Sequence, residues 1–394
     1  MELTRRELLA RIGAVATGGV LAGCSDPSVA PAGPTDRPSR GFDHPEHRVR
    51  ASPQVTGDAV YAVTLYGDLY ALDRASGEPR WTFEMGGSRG RPAVADGVVY
   101  TGDFNYQGEA DDVEATDGRM FAVDAATGEE RWRTSVDGNP VHAPTLRGDL
   151  VLYGVRDVGV VALDRATGEE AWRVRTGYTG AYRSGLAVDG GAAYLGNDEH
   201  LFAVDLEARE IDWQTTAPAT PVDIALGHGR VYYGSGEGVR AVDRASGERA
   251  WSTEATVWST TGPAVGDEHV FVSKNDFFEN RHRVVALDAA SGETVWRHDH
   301  GWATFRPTRA EGRLLVPTGG GRLLVLDTAT GDELARFAEP RGMWMQCSPT
   351  VRDGIAYVGN NGGDVYAVDA ASGEAVWHTW LHAVDAPTPE EGAT

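Results

Sequence analysis

From residue 53 to about 383, short runs rich in Val, Tyr and Leu alternate apolar with polar positions and are cut by Asp-Gly, Gly-Asp and Ser-Gly pairs. A period of two broken at such short intervals predicts strands joined by tight turns. No 3.6-residue apolar period survives here, so no helix is expected. The first unit reads as four strands: A at Pro53–Val55, B at Ala59–Val63, C at Leu69–Leu72 and D at Arg80–Phe83.

The unit repeats. The string "ALDRASGEPRW" at Ala71 has counterparts starting at Ala122, Ala162, Ala203, Ala241, Ala286, Val325 and Ala367. Upstream of each lies an apolar run starting at Pro53, Pro92, Pro144, Leu186, Ile224, Pro263, Pro307 or Pro349, spaced 39, 52, 42, 38, 39, 44 and 42 residues apart. A period near 40 with this content is the signature of a β-propeller. In each string the Asp stands where strand C ends and can accept turn N–H groups, while the Gly supplies a left-handed residue. A four-stranded sheet cannot cover both of its apolar faces alone. The closing indoles, Trp81, Trp132, Trp172, Trp213, Trp251, Trp296 and Trp377, are therefore expected to latch neighbouring blades. Burying roughly 150–250 Å² of Trp at about 25 cal/mol/Å² gives on the order of 4–6 kcal/mol gross per joint. Two copies depart: Ala208-Arg209 replaces Ser/Thr-Gly, and Ala335 stands in the Trp register with Phe337 two residues later. Shifted joints are expected there, with Phe337 filling part of the gap.

The string A-x-D-x-x-[ST]-G-x-x-x-W resembles the tryptophan-docking motif of the pyrroloquinoline-quinone (PQQ) repeat family. The resemblance implies an all-β, eight-bladed, quinoprotein-like propeller of four-stranded antiparallel blades over residues 46–384. Residues 41–50 are expected either to add a strand or to pack underneath. Two functional readings come with the resemblance. One is a protein-binding scaffold, similar to the propeller lipoprotein of the bacterial outer-membrane β-barrel assembly machine. The other is a PQQ-dependent dehydrogenase holding the quinone with calcium. Dehydrogenases of this kind usually carry adjacent cysteines and long insertions, whereas this chain has only Cys24 and Cys347. The scaffold without cofactor is the expectation, with a dehydrogenase or a small-molecule or polysaccharide binder as alternatives.

Residues 1–23 carry Arg5 and Arg6 before a weakly apolar stretch ending in "LAGC". This resembles a twin-arginine export signal with a lipobox, which implies lipidation of Cys24 and anchoring to the outer face of the cytoplasmic membrane. Residues 24–45 read as a flexible tether and 385–394 as a disordered acidic tail. Asp plus Glu number 58 against 36 Lys plus Arg, a net charge of −22, and Lys274 is the single lysine. Such a composition resembles proteins of extremely salt-loving archaea. With no basic stripe, nucleic acid is not an expected partner. A monomer with a protein partner in the cell envelope is.

Links into strand A should gather at one axial mouth, where Arg50, Arg89, Arg91, Arg183, Asp223, Trp258, Arg306, Trp344 and Gln346 are candidate pocket residues. Two readings stand for the arginines: an anion-binding ring, or pairing with neighbouring carboxylates. Two units are longer than the rest between strands B and C. One insertion, from Asp103 to Asp117, is acidic and reads as solvated, with calcium as the alternative. The other exposes Phe277 and Phe278, the candidate partner loop. His298 and His300 read as a solvated strand end, and no metal site is assigned.

Overall fold

The computed structural model describes residues 48–381, apart from 66, 87, 89, 104–117, 137–142, 156–157, 178–184, 218–220, 254–258 and 277–278. These residues form eight antiparallel sheets, each a meander in chain order. The first is Gln54–Val55, Ala59–Val63, Leu69–Asp73 and Pro79–Phe83, within a residue or two of the four strands the sequence pattern predicts. The blades span 54–83, 93–136, 145–175, 187–216, 222–252, 259–300, 308–338 and 350–380. The fold is the expected eight-bladed β-propeller. Blade 6 differs from the four-strand expectation because its innermost strand is split into Ser259–Thr260 and Ala264–Val265. Pro263 lacks an N–H for the ladder, while strands His269–Asp276 and Arg281–Asp288 are long enough to pair with both pieces.

The apolar core belongs to the joints. Eight buried clusters each combine residues of two adjacent blades, such as Tyr61 and Leu69 with Val99 and Phe121, and so run around the ring. This follows from strands B and C being apolar on both faces; Ala59–Val63 is buried throughout. Each blade covers one face of its neighbour.

The repeated string builds the joint from its two ends. Asp73 Oδ1 accepts the N–H groups of Ala75 and Ser76 at 2.9 Å, and Gly77 takes φ 78°. A β-bulge between Ala71 and Leu72 re-aims strand D and places Trp81 opposite Ala71, and the same bulge recurs in every blade. Trp81 then crosses to the turn of blade 2. Its Nε1 donates to Ala125 O at 3.1 Å, and a Cβ added to Gly128 would lie 2.8 Å from the indole. In six of the turns the glycine thus serves as a landing site for the preceding blade's indole as well as a left-handed residue. Trp132, Trp213, Trp251 and Trp296 dock the same way on Gly168, Gly247, Gly292 and Gly331. Tyr61 tilts against Trp81 and donates to the same Ala125 carbonyl at 3.2 Å.

Both departing joints have adapted. Arg209 keeps the left-handed turn at φ 59° and lays its guanidinium 5.9 Å from the centre of the Trp172 ring. In blade 7 the cross-strand pair is Val325 with Ala335, so bulk moves from strand D to strand C. Phe337 is buried and tilts against Tyr366 of blade 8, with ring centroids 5.1 Å apart.

The ring closes without sharing a strand between chain ends. Trp377 donates to Arg74 O at 3.0 Å and covers Gly77, while Thr379 and Thr350 donate to Gly77 O and Pro53 O, each at 2.6 Å. Residues 48–50 pack rather than add a strand. Val49 is wholly buried and donates to Asn360 O at 3.0 Å, and Leu65 N donates to Arg48 O at 2.8 Å.

Candidate functional site

The residues that precede or open strand A line a cavity of about 930 Å³ to which all eight blades contribute. Its position follows from the fold, because strand A is the innermost strand and the links arriving from strand D end beside the axis. On its wall stand Arg50, Arg91, Asp223, Arg306 and Gln346, five of the nine residues expected from the sequence. Arg89, Arg183 and Trp258 lie outside the described residues, as do Arg5, Arg6, Cys24, Phe277 and Phe278. Trp344 is off this wall. It is half exposed and lies against Gly319, with its ring centroid 6.4 Å from that of the wall residue Phe305, because the link after blade 7 turns back over the B–C turn of that blade.

The wall groups are held differently. Arg91 Nε donates to Gln54 Oε1 at 2.7 Å, and burial followed by repulsion from Arg306 lowers its pKa. Arg306 reaches Asp223 of blade 5 at 3.8 Å. Asp223 itself occupies a left-handed position, φ 44°, at a bulge of its strand, backed so closely by Gly262 that a Cβ there would clash with it. The Gln346 side-chain oxygen is buried without a hydrogen-bond donor. Phe305 adds one aromatic face.

Other candidates fall elsewhere. Asp103, at the head of the acidic insertion, is committed: its side chain is buried and accepts from Arg119 and from Gly86 N. Glu109, Asp111, Asp112, Glu114 and Asp117 lie outside the described residues. The histidine pair is not a solvated strand end. His298 Nδ1 meets Gly331 O at 3.0 Å, and burial pushes His300 down to about 4 while it stacks on Trp302. Among the described residues no group of three or more His, Cys, Asp or Glu side chains is placed to hold a metal.

Two features were missed from the sequence. Arg341 bridges the buried carboxylates of Glu339 and Asp364, and Tyr366 OH donates to Glu339 at 3.1 Å; nothing in the local pattern announces this network. The other had a signal. Among the described residues the exposed large hydrophobics are Val295, Leu334, Trp344, Val376 and Trp380, 45–53% exposed, and all belong to blades 6 to 8. Val295, Leu334 and Val376 share one register, immediately before the docking position. Blades 1 to 5 place Arg80, Arg131, Ala171, Asp212 and Ala250 there.

The fold and axial cavity define a quinoprotein-type eight-bladed propeller. A family model described as outer membrane protein assembly factor BamB matches residues 28–119, 67–276 and 235–389, and the chain belongs to that family. It is 32% identical over 107 residues to an outer membrane protein assembly factor BamB of Moranella endobia, covering 27% of this chain and 24% of the relative. It is 31% identical over 123 residues to a 1-butanol dehydrogenase (cytochrome c) of Thauera butanivorans, covering 27% of this chain and 18% of that protein. The chain thus matches under a quarter of the length of either relative. The crystal structure of BamB from Moraxella catarrhalis superposes with a TM-score of 0.61 at 16% identity over 81% of this chain and 96% of the other.

The dehydrogenase neighbour raises the question of a quinone with calcium. The guanidiniums suit carboxylates, but the described wall offers one carboxylate, Asp223, already beside Arg306, and no three-ligand group. These residues do not fit the quinone–calcium pair, and no chemistry is derived through it.

Proposed function

We propose that this chain is an extracytoplasmic, lipid-anchored scaffold that binds an envelope protein through the outer surface of blades 6 to 8. The observation that carries this reading is the clustering of every exposed large hydrophobic among the described residues in those three blades. An apolar side chain stands at one repeated height on three consecutive blades. In a chain of net charge −22 whose other blades carry Arg, Asp or Ala at that height, such a set suits a protein surface. The family's assembly factors and the lipobox-like Cys24 support the envelope setting.

The test is a photo-crosslinking amino acid at Leu334 or Val376, with Arg131 of blade 2 as the control at the equivalent position. A defined membrane-protein adduct from positions 334 and 376 and none from 131 is expected; equal labelling from all three would refute the surface. For the anchor, Cys24→Ala should move the chain from the membrane to the soluble fraction.

A further inference from the structure

We propose that strand D of blade 8, Ala375–Trp380, takes up an extended segment of the envelope partner as a fifth strand, a segment apolar at alternate positions with a basic residue beside Glu374. This rests on the partner-binding reading above and names the element and the mode of contact.

The first observation is what this strand lacks. Strand D is the outermost strand of every blade, so its outer edge has no neighbour among the described residues. Such a row of backbone donors and acceptors invites a foreign strand, and proteins guard it with charges, proline or short length. Blades 1 to 4, 6 and 7 all place Asp, Glu or Arg within strand D, and blade 1 adds Pro79. Blade 5 opens its strand on Arg249 and ends it after 4 residues, the shortest of the eight. Blade 8 alone reads Ala-Val-Trp-His-Thr-Trp, 6 residues without Asp, Glu, Lys, Arg or Pro. Strand-favouring residues in a run of this length, with no charge pattern and no proline, are what edge pairing selects.

The second observation is the face this strand shows. Val376, His378 and Trp380 are alternate residues, so they share one side of the strand over about 13 Å, and all three are exposed. The same register holds Arg131, Arg133 and Ser135 in blade 2 and Leu334, Arg336 and Ala338 in blade 7. Two side chains of the row are held in place. The His378 ring stacks on Tyr366 of strand C with centroids 5.3 Å apart, and Trp380 Nε1 donates to Gly362 O at 3.2 Å. A row fixed in advance loses little freedom when it is covered. Main-chain bonds along the edge and alternate apolar side chains on the row are the two components of strand addition. Charge selects the occupant. Glu374 stands exposed just before the strand in a protein of net charge −22. A second copy would set two such charges against each other, whereas a strand ending in Lys or Arg meets Glu374 favourably.

Fluorescence anisotropy of the whole chain at one fixed potassium chloride concentration tests the proposal with a labelled peptide, Lys-Val-Thr-Val-Thr-Val-Lys. Saturable binding is expected, at least tenfold tighter than that of the scrambled Lys-Val-Val-Thr-Thr-Val-Lys, which carries the same charge. Of two N-methylated versions, one blocked at the valines and one at the threonines, the one whose blocked N–H groups face the edge should bind at least tenfold more weakly. Glu in place of both Lys ends should weaken binding at least threefold. His378→Arg supplies the guard that Arg133, Arg173, Arg297 and Arg336 give other blades, and should weaken binding at least tenfold. Ser252→Arg, at the same position of blade 5, should leave it unchanged. A melting temperature within about 3 °C of wild type qualifies each variant, and Val376→Arg, which copies Arg131, replaces His378→Arg if that one fails. No saturable binding, equal binding of the scrambled peptide, no loss in either N-methylated version, or equal effects of the two arginine variants would each overturn strand addition. So would a concentration-dependent dimer dispersed by His378→Arg, which would make a second copy the occupant. Photo-crosslinks from positions 334 and 376 that persist beside a failed peptide test would leave the partner surface standing and remove only the strand addition.

Discussion

At the scale of single residues, six of the eight joints match one blade's indole to the next blade's missing Cβ. Trp172→Ala should lose about 3–5 kcal/mol in chemical denaturation, as other buried aromatic truncations do. Ala335→Trp should not gain, because Val325 already fills the space across the strand and Phe337 covers Tyr366. The glycines separate two effects. Gly229 and Gly292 both have positive φ, 68° and 76°, but a Cβ at Gly229 meets nothing within 4 Å, whereas at Gly292 it falls 2.6 Å from Trp251. Gly229→Ala should cost about 1–2 kcal/mol for the left-handed backbone alone. Gly292→Ala should cost a further 1–3 kcal/mol or so for the overpacked indole. Equal midpoint shifts for the two would remove the landing-site role. The Trp was legible in the sequence as a latch; its landing site was not, because the two lie in different repeats.

At the scale of the element, every C–D turn is organised by its aspartate, and seven of these aspartates make their turns acid-sensitive. The Arg131 side chain, then the N–H groups of Thr127 and Ala126, hold Asp124 at about 2. Arg80 chiefly lowers Asp73, and backbone N–H groups chiefly lower Asp164, Asp243, Asp288, Asp327 and Asp369. An unfolded aspartate titrates near 3.9. Depressed native values mean that the contribution is present above the unfolded value and is lost as pH falls through the lowered folded values, about 2 for Asp124. Melting temperature should therefore drop between about pH 4 and pH 2. Asp124→Asn should flatten that fall, by little, because these carboxylates are exposed and screened. The alternation of strands and the turn chemistry were plain in the sequence because both are local. The split inner strand of blade 6 was not, since it depends on how far strands B and C extend.

At the scale of the molecule, seven joints have a peptide link behind them and the eighth does not. Blades 8 and 1 are held by Trp377 on Gly77, the Thr350 and Thr379 bonds and the Arg74 contacts to Tyr357 and Asp353. Trp377→Ala should therefore speed unfolding more than Trp172→Ala, measured by stopped-flow denaturant jumps, because the terminal blades can then separate and fray. Equal rates would place closure elsewhere. The net charge of −22 adds a second expectation. Raising potassium chloride from 0.1 to 2 M should raise the melting temperature, as the Debye length falls from about 10 Å to 3 Å or less and self-repulsion is screened.

The amino-acid sequence determined the strands, their turns, the eight repeats and the indoles meant to join them, because each depends on residues within one period of about forty. Folding decided what lies between repeats: that six of the seven docking indoles land on the following blade's glycine and Trp172 on Arg209, and that the ends meet without exchanging a strand. It also decided that Arg91, Asp223, Arg306 and Gln346, more than a hundred residues apart at the extreme, share one channel. Such groupings follow from closure of a ring, which brings every blade's inner edge to the axis whatever its place along the chain.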